Sequence, residues 1–144
     1  MNTASSLPRG LNLIAQDLET LISRQLRELV PEISLAYIFG SQVDGTATPE
    51  SDIDIAFLSK LTTPNIRRFD IAQELSERLK LDVDLVDLRE AGAPIKTEVI
   101  MKGLQLLGTK LEADLYAMYV LKDYQHYKYH VVDIERQILE DIRS

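Results

Sequence analysis

The sequence predicts an α/β protein: a small mixed β-sheet flanked by helices, followed by a C-terminal helical tail. Three observations point there. Short runs of β-favouring apolar residues alternate with segments of helical period. A helix of about fifteen residues joins two of those runs, which is the form of a crossover between parallel, neighbouring strands. From Leu111 to the end neither Gly nor Pro interrupts the chain. A length of 144 residues suits a single domain over 1–144, with a core at about 11–108 and a tail at about 110–144.

Residues 1–9 are small, polar and Pro-containing, and are expected to be loosely ordered. Leu11, Ile14, Leu18, Leu21, Ile22, Leu26 and Leu29 then recur at steps of three and four, a helix that Pro31 ends. Ser34–Phe39 reads as a strand, Gly40–Ser51 has loop chemistry, and Ile53–Leu58 reads as a second strand with Asp52 at its mouth. Thr63 as N-cap and Pro64 at the first helical position predict a helix whose apolar stripe is Ile66, Phe69, Ala72, Leu75 and Leu79. Residues 82–88 alternate with period two and form the third strand. Pro94–Lys102 is a short helix closed by Gly103, 104–107 a short fourth strand closed by Gly108, and the remainder a long or broken helix.

Composition excludes several chemistries. There are 16 Lys+Arg against 23 Asp+Glu, a formal charge of −7, so a chain built mainly to grip nucleic acid is not expected. No Cys is present, which removes disulfides, thiolate nucleophiles and Cys-ligated metals. His126 and His130, one helical turn apart, are the only imidazoles, and no third ligand stands beside them. The first residues lack the charged and apolar regions of a signal peptide, and no apolar run approaches the roughly 18–20 residues of a membrane span, so a soluble cytoplasmic protein is expected.

The informative segment is Gly40-Ser41, ten residues, then Asp52-Ile53-Asp54. Residues i and i+2 of a strand point to one face, so Asp52 and Asp54 present two carboxylates side by side. Such a pair either shares a proton or binds a cation, and with no pairing cation nearby in sequence a divalent metal is the simpler partner. Gly40 would let the backbone approach a ligand, and the amide and hydroxyl after it can donate to phosphate oxygens. Asp82 and Asp84 share a face of the third strand, with Asp87 on the other. If the second and third strands are parallel neighbours, Asp84 can lie near Asp54, completing a metal clamp or taking a proton from an attacking hydroxyl. Plainer roles exist for others. Asp52 suits a turn, Asp87 an outward or capping position, and Lys60, Arg67 and Arg68 a solvated helix face rather than phosphate or partner contacts. The aromatic-rich Tyr124–His130 could dock a partner or pack back on the core.

Gly-Ser, ten residues, Asp-X-Asp and a later strand Asp resemble the polymerase-β-like nucleotidyltransferase superfamily. Short length and the Val83-Asp84-Leu85-Val86-Asp87-Leu88 run are most similar to its minimal nucleotidyltransferases, among them the MntA-type antitoxins of HEPN/MNT toxin–antitoxin modules. The resemblance implies a nucleotidyltransferase fold and an Mg²⁺-dependent enzyme, with two ions and ATP as substrate. Its expected task is to move AMP to a tyrosine hydroxyl of a partner HEPN RNase toxin and so neutralise it. By position it gives Gly40 and Ser41 the nucleotide's triphosphate, Asp52 and Asp54 the metal, and Asp84 the third metal-binding, catalytic carboxylate. A small-molecule (aminoglycoside-type) nucleotidyltransferase and a non-catalytic antitoxin acting by binding alone are the alternative readings; an RNA-tailing enzyme is disfavoured by the acidic charge.

Overall fold

The computed structural model describes residues 9–40 and 52–143, with side chains from residue 17 onward except at 126, 127 and 129–131. Residues 1–8, the loop from Ser41 to Ser51 and the side chains of His126 and His130 therefore lie outside the described residues.

Four helices and four strands follow in the order α1 (Arg9–Leu29), β1 (Ile33–Phe39), β2 (Ile53–Ser59), α2 (Asn65–Leu79), β3 (Val83–Asp87), α3 (Ala93–Lys102), β4 (Leu104–Leu107) and α4 (Lys110–Arg143) among the described residues. The sheet is mixed and runs β3-β2-β1-β4. β1 pairs antiparallel with β2 and β4, whereas β2 and β3 are parallel neighbours, as the crossover helix requires. Alternation along the strands sends Ile53, Ile55, Phe57 and Leu85 to the side covered by α1 and α2, against Ile22, Leu26 and Leu75. Tyr37, Phe39, Ala56 and Leu88 go to the side covered by α3 and α4, against Val99 and Tyr116. The sheet is thus sandwiched between two helical layers.

The connection from α2 to β3 is short and tightly tied. Lys80 takes the left-handed conformation at φ 55° and its N–H donates to Ser76 O. Ser76 Oγ in turn accepts from Val83 N at 3.0 Å, joining the helix end to the first residue of the edge strand.

Several expectations about helix faces are corrected. The α2 stripe is Ile71, Leu75 and Leu79, an i, i+4, i+8 row, while Ile66 and Phe69 are 79% and 60% exposed. The helix is rotated so that this row reaches the sheet, and its first turn is held by polar contacts instead. Arg67 Nη1 donates to Glu32 Oε1 at 2.6 Å and Arg68 Nη1 to Leu85 O at 2.8 Å. These two arginines are therefore fold anchors, not solvated charges, and the Arg67 guanidinium holds the Glu32 carboxyl below its ordinary range. Leu21 of α1 is likewise outside the buried row that Ile22 and Leu26 define. Thr63 does not cap α2: Pro64 occupies the cap position without a side-chain bond, and Thr63 is buried with its Oγ1 unpartnered among the described residues. A buried hydroxyl without a partner carries a desolvation cost that a methyl of the same shape avoids. Thr63→Val is therefore expected to raise stability by about 1 kcal/mol, read as a higher midpoint in thermal or urea unfolding. A loss of stability would restore a structural role to the hydroxyl.

Asp87 does not face outward. It is 4% exposed, and its Oδ1 accepts from Arg89 N at 2.9 Å to cap the turn after β3. The first part of α4 packs on β1 and α3, with Val120 fully buried. Beyond it every described side chain from Leu121 to Arg143 is exposed, except half-buried Tyr124. Within Tyr124–His130 only Tyr124, Gln125 and Lys128 have described side chains, so the choice between partner docking and packing on the core falls largely outside the described residues. No helix among the described residues is long and apolar enough to cross a membrane.

Candidate active site

The two central carboxylates are placed by strand register. Asp54 is the second residue of β2 and Asp84 the second of β3, and the parallel ladder makes them direct partners. Partnered residues on adjacent strands, about 4.8 Å apart, send their side chains to the same face. Here that face is the one covered by α3 and α4, as alternation with Ala56 and Val86 fixes. Asp52 stands one residue before β2, exposed, on the same side by the same alternation.

Gly40 is brought to Asp54 by the other ladder. Phe39, the last residue of β1, pairs with Asp54 across the antiparallel strands. Gly40 follows with φ +75°, and a Cβ built on it would run into Asp54 Oδ2 and stand 3.3 Å from Asp54 Cγ. Both the backbone angle and the close approach demand glycine here. Ser41 lies outside the described residues.

The electrostatics follow from this crowding. The Asp54 carboxyl is raised above its ordinary value, first by burial, then by the negative charges of Asp84, Asp52 and Glu98. Glu98, an exposed residue of α3, has no part in the motif of the acidic strands. Only the packing of α3 over this sheet face brings it into range, and its neighbours in sequence carry no signal of that. Asp82, on the same face of the chain as Asp84, is exposed just before β3. Among the described residues no group of three His, Asp or Glu side chains is gathered closely enough to hold a metal ion. The donor set, hard carboxylate oxygens in excess of any nearby cation, nevertheless fits a hard divalent ion such as Mg²⁺, whose charge would relieve the repulsion felt at Asp54. Lys60 remains at the exposed surface, and Arg67 and Arg68 are engaged elsewhere as described.

A four-stranded mixed sheet with an Asp-X-Asp strand, a parallel acidic strand beside it and a glycine corner above defines a class of nucleotidyl-transferring proteins. Residues 20–112 match the family model "Polymerase beta, Nucleotidyltransferase", and the chain belongs to that family. Among characterised relatives it is 42% identical over 127 residues, 88% of each chain, to the protein adenylyltransferase MntA of Shewanella oneidensis. Two solved structures are similar over most of the chain. One, a toxin–antitoxin with AMP-PNP, is 39% identical with a TM-score of 0.76, over 88% of this chain and 98% of that one. The other, a tri-AMPylated Shewanella oneidensis HEPN toxin in complex with MNT antitoxin, is 36% identical with a TM-score of 0.72, over 90% and 98%.

Proposed function

We propose that this chain is a cytoplasmic antitoxin that transfers AMP from ATP to a tyrosine hydroxyl of a HEPN-type RNase toxin and thereby neutralises it. The observation that carries the proposal is the direct pairing of Asp54 with Asp84 beside the glycine corner at Gly40. The relative that is a protein adenylyltransferase, and the related complexes with AMP-PNP and with an AMPylated HEPN toxin, support the choice of donor and acceptor.

Asp52, Asp54 and Asp84 would hold Mg²⁺, two ions in the fullest form of the site, and the metal would supply neutralisation of phosphate charge. Gly40 and Ser41 would receive the triphosphate, the glycine by letting backbone come close and the serine through its amide and hydroxyl. The tyrosine oxygen forms a bond to the α-phosphorus, its proton passes to Asp84, and the bond to pyrophosphate breaks on the opposite side. The protein's contribution is alignment and electrostatics, with no covalent intermediate on the chain.

The test is incubation with α-labelled ATP, Mg²⁺ and the HEPN partner. Label is expected on the partner, and chelation with EDTA is expected to reduce it to background. Neutralisation without label would replace the enzymatic reading by one of binding alone, and label on aminoglycosides but not on protein would replace it by small-molecule transfer.

A further inference from the structure

Helix α3 turns its two flanks to different neighbours. Val99 is fully buried on the sheet face that carries the carboxylates and sets the centre of the packed surface. At 3.6 residues per turn, Lys96 stands about 60° to one side of Val99, while Lys102 and Glu98 stand about 60° and 100° to the other. The first flank meets α4, where Lys96 Nζ lies 5.8 Å from the centre of the Tyr119 ring. The second is the flank from which Glu98 acts on Asp54. Lys102 is one turn beyond Glu98 on it, and is the last residue of the helix.

Strand register sets its level along the sheet. Leu104 pairs with Ile38 across β4 and β1, and Gly103 before it is extended, at φ −72° and ψ 154°. A Cβ on Gly103 would stand 3.4 Å from Ile38 O. Continued by the antiparallel pattern, Gly103 comes level with Phe39 and Lys102 with Gly40. Neighbouring strands are about 4.8 Å apart, a gap that the four-carbon stem of lysine crosses. Phe39 pairs with Asp54 on its other side, so the glycine corner stands between Asp54 and Lys102.

The ammonium is uncommitted. Lys102 is exposed and enters none of the ion pairs among the described residues, although Glu98 stands at i−4, a spacing at which such pairs form on helices. Arg67, Arg68 and Arg89, by contrast, are tied to oxygens elsewhere in the fold. A triphosphate would bring further negative charge to a site that already holds Asp52, Asp54, Asp84 and Glu98. Asp54 and Asp84 mark the reacting phosphorus, and a cation one strand further out meets the phosphates beyond it. We infer that Lys102 binds the β- and γ-phosphates of ATP on the side of the Gly40 corner away from Asp54, and receives the charge on pyrophosphate as it leaves. The inference rests on the adenylyl-transfer reading for its donor, ATP, and is independent of the acceptor.

The experiment measures AMP-PNP and AMP affinities by calorimetry with Mg²⁺, alongside KM for ATP in labelling of the HEPN partner. Lys102→Ala is expected to weaken AMP-PNP about tenfold, to raise KM for ATP to match, and to leave AMP affinity unchanged, because AMP lacks the phosphates in question. Lys102→Arg is expected to keep AMP-PNP affinity within about twofold. Thermal unfolding checks that both variants fold. Unchanged AMP-PNP affinity in Lys102→Ala overturns the assignment, and a lowered unfolding midpoint beside it gives the lysine the plainer task of balancing the charge at a helix C-terminus. Equal weakening of AMP and AMP-PNP also overturns it, by moving the contact to the nucleoside or the α-phosphate. AMP-PNP binding that depends on Lys102 with no label on the partner would keep the assignment and defeat the transfer reading, whereas no AMP-PNP binding by the unmutated protein would defeat both.

Discussion

Asp54→Asn is expected to abolish AMP transfer, by about three orders of magnitude or more, while leaving the protein folded. The substitution keeps the volume of the side chain and removes its charge. Asp54 is the position where the site's constraints meet: it pairs with Asp84 on one side and Phe39 on the other, and it lies beneath Gly40. No neighbouring carboxylate can stand in for it, because Asp84 is on a different strand and Asp52 is outside β2. Labelling of the partner measures the loss. Full activity in the variant would remove this carboxylate from any metal-holding role.

The same variant should be more stable than the parent at neutral pH in the absence of metal. The Asp54 carboxyl is raised above its ordinary value by burial and by Asp84, Asp52 and Glu98. A raised folded-state value means that the folded chain binds the proton more tightly than the unfolded chain. The resulting stability is fully present below the ordinary carboxylate value and is lost as pH rises through the raised one. At neutral pH the ionised group therefore works against the fold, and Asn removes that effect. The expected gain is about 1 kcal/mol or less, since the group is only half-buried and solvent screens it. Thermal unfolding of metal-free protein across that window should be flatter with pH in the variant. Adding Mg²⁺ with AMP-PNP should stabilise the parent and not the variant.

Much of this was legible in the sequence because strands carry side chains with a fixed period. Period two at 82–88 and the Asp-X-Asp of 52–54 are enough to place Asp84 beside Asp54 once the intervening helix makes their strands parallel neighbours. The faces of helices were less legible. In α2 two apolar rows compete, Ile66-Phe69 and Ile71-Leu75-Leu79, and composition does not tell which meets the sheet. The salt bridge of Arg67 to Glu32 and the bond from Arg68 to Leu85 O help settle it, and both join residues far apart in the chain. Glu98 was invisible for the same reason: its influence on Asp54 comes from the crossing of α3 over the sheet, not from any local pattern. Thr63-Pro64 shows the converse error, a local cap signal overridden when the threonine is drawn into the interior.

Gly40→Ala is expected to reduce transfer about a hundredfold while costing about 1–2 kcal/mol of stability, the second cost arising from a side chain at φ +75°. The activity loss has a separate origin, because the added methyl would meet Asp54 Oδ2 and force the carboxylate aside. A displacement on the order of 1 Å at a reacting centre is enough for a loss of that size. Gly108 provides the control that separates the two effects. It too has positive φ, at +112°, and a Cβ there would stand 2.7 Å from Ser34 O, at the far end of β1 from Gly40. Gly108→Ala should therefore lower the unfolding midpoint but leave transfer per folded molecule near that of the parent. Assayed at a temperature where both variants are folded, only Gly40→Ala should lose activity, and it should lose it in kcat. Equal activity in the two variants would mean that the glycine corner serves the fold alone and that the Asp54 carboxylate tolerates being moved.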